Sequence, residues 1–209
     1  PDTDLRSGLA ATLADLDEPT LNPALREAQN NITAAIAAFP DGAKILPLAC
    51  SALRHIRDAI RDCPDHARED ILHKLTRKET QLSRLITIAA GVQVHARIDK
   101  PYLNAGDDAE ITTELRPGIA EAVSLRPALP PGWSQDKNRL FTAPDVQVTA
   151  PYPSVYLPDT PRLPCIEASL EVHGERATRR FAFETPPVVL PANSATITPE
   201  TDIINSAVA

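Results

Sequence analysis

The chain has 209 residues, a formal net charge of -7 and an isoelectric point near 5.2. That length is enough for one large domain or two small ones with a real core. The acidic balance, with no run of Lys or Arg, argues against a nucleic-acid surface, and no apolar run approaches the roughly 18–20 residues that span a membrane.

Proline divides the chain. Six of the 21 prolines precede Ile98 and fifteen follow it, and every aromatic except Phe39 also follows it. Because proline breaks helix interiors but suits turns and sheet edges, the first half is expected to be helical and the second built of short strands. Cys50, Cys63 and Cys165 have no short-range pairing motif. They are expected to be buried free thiols, with one Cys50–Cys165 or Cys63–Cys165 bridge as the alternative. Pro1 to Ser7 shows neither a cleavage site nor an apolar h-region. The chain therefore reads as cut from something longer, with any targeting signal upstream of Pro1 and the compartment left open.

From Thr3 to Leu16, the spacing of Leu5, Leu9, Leu13 and Leu16 predicts one helical face. A second helix is expected with Asn22 as N-cap, Pro23 at the first helical position, and Leu25, Ala28, Ile32, Ala35, Ile36 and Phe39 facing inward. Pro40-Asp41-Gly42 is a turn. A third helix is expected over 44–62, with a stripe of Ile45, Leu48, Ala49, Ala52, Leu53, Ile56, Ala59 and Ile60, and with Pro47 tolerated in its first turn. The fourth, over 65–90, has Glu69 and Asp70 at its positive end and Ile71, Leu75, Leu82, Leu85, Ile86 and Ala89 on one face. Lys78 falls on that same face. Gly91 supplies the C-cap and turns the helix into a strand.

After Gly91, Val92, Val94, Ala96 and Ile98 alternate with polar residues, which predicts a strand with one wet face. Asn104–Asp107 is a turn and 109–113 a second strand. Pro117-Gly118 leads into a third strand over 119–125. Strand pattern returns at 166–172, a His173-Gly174-Glu175 hairpin follows, and 176–183 answers it. Val188–Leu190 starts an edge segment, and Ile203-Ile204 is a candidate last strand. The fold class expected is α+β: an antiparallel bundle of three or four helices (1–91), then an antiparallel immunoglobulin-like β-sandwich (92–209), packed closely.

Residues that carry chemistry are sparse. Cys63, His66 and His73 are loosely spaced like metal ligands, but His66 and His73 lie about 10 Å apart on a helix, so solvated histidines are expected instead. Asp107-Asp108 fits turn chemistry better than acid–base catalysis. The acids Asp62, Asp65, Glu69 and Asp70 suit a helix start. Lys78 must snorkel, pair with a carboxylate or face a partner, so Lys78 with Glu79 is the candidate interdomain contact. Tyr152 and Tyr156, in a Pro-rich stretch, are a candidate ligand surface. Trp133 is either a sugar-stacking residue or, as expected, a core anchor.

The order of motifs resembles a known family. Leu75-Thr76-Arg77-Lys78-Glu79-Thr80-Gln81-Leu82 is followed by Gly91, then by Leu129-Pro130-Pro131-Gly132-Trp133, Thr149-Ala150-Pro151-Tyr152 and Val172-His173-Gly174-Glu175. This is similar to the region after the catalytic domain in long bacterial proteins of the PIG-L (LmbE-like) deacetylase family, over about residues 21–183. The family's zinc site rests on a Pro-His-Pro-Asp-Asp type of run in an α/β domain, which this chain lacks. The resemblance therefore implies a non-catalytic accessory region without cofactor. The zinc-dependent de-N-acetylase domain, acting on N-acetylated sugars or glycoconjugates, would lie upstream and be the partner that this region braces. A stand-alone module that binds a carbohydrate or a protein through its sandwich is the alternative.

Overall fold

The structure, a computed structural model, describes residues 12, 15, 16, 18–152 and 160–192. Among these residues the fold is α+β, with three helices followed by strands in antiparallel sheets. Most of the expected Thr3–Leu16 helix, Tyr156 and the Ile203-Ile204 strand lie outside the described residues. Within the first of these, the Thr12 N–H and hydroxyl both donate to the Asp15 carboxylate, at 2.7 and 2.8 Å. That is a helix-start arrangement inside a stretch expected to be helix interior. Leu16 is buried in the helical core.

Helix α1 runs Asn22–Ala37, with Pro23 in its first turn. Asn22 is helical rather than the cap. The cap position falls to Leu21, and the Glu18 carbonyl accepts the backbone N–H groups of both Leu21 and Asn22. Helix α2 (Gly42–Arg61) starts two residues earlier than its apolar stripe suggests, because the Asp41 side chain accepts the Lys44 N–H as N-cap. Pro47 therefore sits beyond the first turn, inside the helix and on its exposed side. A short 3-10 turn, Asp65–Ala67, precedes helix α3, Arg68–Ala89.

The α3 terminus is closed by a Schellman motif. Gly91 has φ +72°, its N–H donates to the Ile88 carbonyl at 3.0 Å, and the Val92 N–H donates to the Thr87 carbonyl at 3.1 Å. The Ala90 carbonyl is satisfied from across the fold: the Ile119 N–H donates to it at 2.9 Å. This use of Ile119 in locking the helix end explains why the strand expected over 119–125 is shifted.

Strand β1 (Gln93–Ile98) pairs antiparallel with β3 (Asp108–Arg116), which pairs with β6 (Arg139–Thr142), which pairs with β5 (Trp133–Asp136). A second sheet has the order β4 (Ala122–Ala128), β7 (Cys165–Val172), β8 (Glu175–Phe181). Pro127 is accommodated because β4 is an edge strand. The β7–β8 turn has positive φ at both His173 and Gly174, as a two-residue type I′ hairpin turn requires. Two short strands, β2 (Tyr102–Leu103) and β9 (Val188–Val189), pair in parallel.

The two cores meet on one face of β7. Ile166 and Ala168 pack with Val94, Ala96, Ile111 and Leu140 of the four-stranded sheet. Leu170 and Val172, further along the same face, pack with the helices. One strand face thus carries both halves of the chain, and no linker separates α3 from β1.

The opposite face of β7 is polar. Glu167 is buried between Arg126 of β4 and Arg180 of β8 and accepts hydrogen bonds from both guanidinium groups. The Arg126 hydrogen bond holds its carboxyl below the usual glutamate range, with Arg180 adding to the effect. A carboxylate with a depressed folded pKa contributes stability above its unfolded pKa, and that stability is lost as pH falls through the folded value. Glu167→Gln should therefore lower the denaturation midpoint at about pH 7, by an amount that shrinks steadily below about pH 4. Denaturant melts across that range check it.

All three cysteines are free and buried. Burial, reinforced by the nearby Glu175 charge, pushes the Cys50 thiol up to about 11, and burial also raises Cys165. Since the thiolate is the reactive form, native protein at about pH 8 should react negligibly with a thiol reagent over minutes, and denatured protein should titrate all three thiols.

Candidate functional site

Among the described residues, the helices leave one face unfilled. Helix α2 lies between α1 and α3, and the outer parts of the flanking helices form two walls over it. Ile32, Ala35, Ile36 and Phe39 line one wall; Lys78, Gln81, Leu82 and Leu85 line the other; Ile45 and Ala49 of α2 form the floor. Each wall carries the i, i+3, i+4, i+7 spacing that puts side chains on one helix face. The result is a solvent-open apolar groove of about 410 Å³.

Its rim corrects the expected burial of α1. Leu25, Ala28 and Ala35 are buried as the periodicity predicts. Ile36 is 71% exposed and Phe39 77% exposed, so the last turn of the stripe faces the groove mouth rather than a core. Apolar side chains grouped in this way mark a binding surface more often than scattered ones do.

Lys78 is half-buried in the groove wall, and among the described residues it makes no ion pair. Glu79, one position on, is turned by about 100° and is engaged elsewhere. It accepts a 2.8 Å hydrogen bond from Arg57 Nε. Arg57 also lies 3.7 Å from Glu175, whose other oxygen accepts from Arg54 Nε at 2.6 Å. Glu79 thus belongs to an ionic cluster tying α2 and α3 to the start of β8, and only Lys78 of the pair faces the groove.

The remaining sequence candidates are dispersed. Trp133 is half-buried and packs on the core between the sheets. Tyr152 is 82% exposed. His66 lies 3.1 Å from Glu18, and among the described residues no group of three His, Cys, Asp or Glu converges as metal ligands. Asp107 accepts from the Asn104 N–H at 2.8 Å, and Asp108 pairs with Arg139, so both carboxylates serve the turn and the sheet. Asp62 and Asp65 pair with Arg61 and Arg68.

The groove therefore has the chemistry of a binding surface: apolar walls with one aromatic ring, one amide and one cation. No protein-family model matches the chain, and comparison with curated proteins and with solved structures returned no match. What the fold itself defines is an α+β chain whose helical half carries an open apolar groove.

Proposed function

We propose that this chain is a non-catalytic accessory region of a PIG-L-like zinc-dependent de-N-acetylase, bracing an upstream catalytic domain. The motif order from Leu75 to Glu175 suggests the family, and the observation that carries the bracing role is the open groove with Lys78 on its wall. A surface of this kind loses free energy when a neighbouring apolar face covers it, at roughly 25 cal/mol per Å² of apolar area removed from water. The finer architecture proposed is a small helical bundle seated against an immunoglobulin-like sandwich. The shared core between the four-stranded and three-stranded sheets supports it.

The coding sequence immediately upstream of Pro1 tests the family assignment. It is expected to encode an α/β domain with a His-x-Asp-Asp run; an unrelated domain there would end the proposal. A second reading, a free-standing glycan- or protein-binding module, is favoured by the exposure of Tyr152 alone. It predicts ligand binding by the isolated chain that is lost on Tyr152→Ala.

A further inference from the structure

We infer that the groove between α1 and α3 receives two turns of an amphipathic helix from its partner, with aliphatic side chains at i, i+4 and i+7 and one carboxylate set against Lys78. This deepens the docking role proposed above by naming the chemistry of the surface that docks.

The walls decide the kind of occupant. Both walls are built on helices, whose backbone groups are already bonded within themselves, so an extended segment would find no ladder partners there and would leave the N–H and C=O groups turned to the walls unmet. A helix satisfies its own backbone and needs only side-chain burial, as helix-in-groove recognition does. The wall from Lys78 to Leu85 spans seven residue steps, about 10 Å of helix, which matches an i to i+7 anchor set. A small amphiphile fits less well. Ligand sites typically enclose about 70–90% of the ligand surface, whereas this groove stands open at Ile36 and Phe39.

Charge sets the rest. Lys78 is the only ionisable group among the lining residues and has no ion-pair partner among the described residues. A carboxylate opposite it would gain an ion pair partly shielded from water. The chain's net charge of -7 disfavours a long acidic tract, so a single carboxylate on an otherwise apolar face is the better complement.

A fluorescein-labelled 14-residue synthetic peptide, helical, with Leu at i, i+4 and i+7 and one Glu beside them, tests this by anisotropy against the full 209-residue chain. Saturable binding is expected. Leu82→Asp should abolish it. Lys78→Glu should weaken it roughly tenfold, and a peptide with Lys in place of that Glu should recover the loss. Circular dichroism of each variant separates lost binding from lost folding.

The proposal is overturned by no binding, by equal binding of a peptide with the same composition in scrambled order, or by indifference to Lys78→Glu. It is also overturned if binding appears only after Leu5→Asp with Leu9→Asp, which would make the chain's own N-terminal segment the occupant. The same holds if the peptide acts by splitting a dimer, which would make the occupant a second copy. Peptide binding does not depend on what is encoded upstream of Pro1, so a failure here and a failure of the deacetylase assignment are told apart.

Discussion

Gly118→Ala is expected to destabilise the fold by about 3–5 kcal/mol, the largest effect of a Gly→Ala change among the described glycines. Two costs combine. Gly118 has φ +57°, a left-handed conformation that a residue with a Cβ adopts only with strain. A Cβ there would also overlap the Ala90 carbonyl oxygen and lie 2.7 Å from the Gly91 carbonyl carbon. Both neighbours are backbone in the Schellman turn, so neither can swing aside. Gly106→Ala is the control: its φ is +86°, but a Cβ would meet nothing within 4 Å, so only the backbone cost of about 1 kcal/mol applies. Denaturant midpoints of the two variants should separate clearly, with unchanged slopes. Equal losses would mean that the contact between the Pro117-Gly118 turn and the end of α3 contributes little.

Leu170→Ala is expected to cost about 2–5 kcal/mol, the range for a fully buried leucine whose cavity is only partly refilled. Leu170 has no exposed surface and sits on β7, yet its cluster is the helical one, with Leu53, Ile56, Leu75 and Ile86. Two positions earlier, Ala168 belongs to the core beneath Trp133. A cavity at Leu170 should therefore loosen both halves together. Helix content by far-UV dichroism and Trp133 fluorescence are expected to report one coincident transition at a lower midpoint. If the dichroism transition shifts alone, helices and sheets are separable units and the shared face of β7 is not a cooperative link.

The elements that were legible in the sequence are those with a long, strong period. Helices α2 and α3 were clear from stripes of isoleucine, leucine and alanine and from Gly91 at the end. Strands β1 and β3, and the β7–β8 hairpin, followed from period-two alternation and from His173-Gly174. The elements that were not legible are short or polar. Strand β5 reads Trp-Ser-Gln-Asp and β2 is two residues long; β9 falls where the edge segment at Val188–Leu190 is expected, but it pairs with β2 across most of the second half of the chain. No local pattern encodes such a pairing, because it is set by which distant segments the sheets bring together. Proline is disfavoured inside a sheet, and Pro127 is admitted to β4 by its edge position.

The groove was half legible. Lys78 stood out as a charge on an apolar face, and its place in the wall accounts for that. Ile36 and Phe39 carried the same periodicity as Leu25 and Ala28, so spacing alone assigned them to the core. Periodicity tells which side chains share a face; it does not tell whether a neighbour covers that face. The separation of Lys78 from Glu79 is a matter of the same geometry, since adjacent helical residues point about 100° apart, and Glu79 is turned to where Arg57 donates to it.

The groove face is the surface proposed to seat the partner domain. Lysine footprinting of the parent protein against the isolated chain tests it most directly, with Lys74, exposed on the same helix, as internal reference. Acylation of Lys78 is expected to be slowed at least about tenfold in the parent while Lys74 is unchanged, as for a group taken out of water by docking. Equal Lys78 reactivity in the two proteins would contradict it.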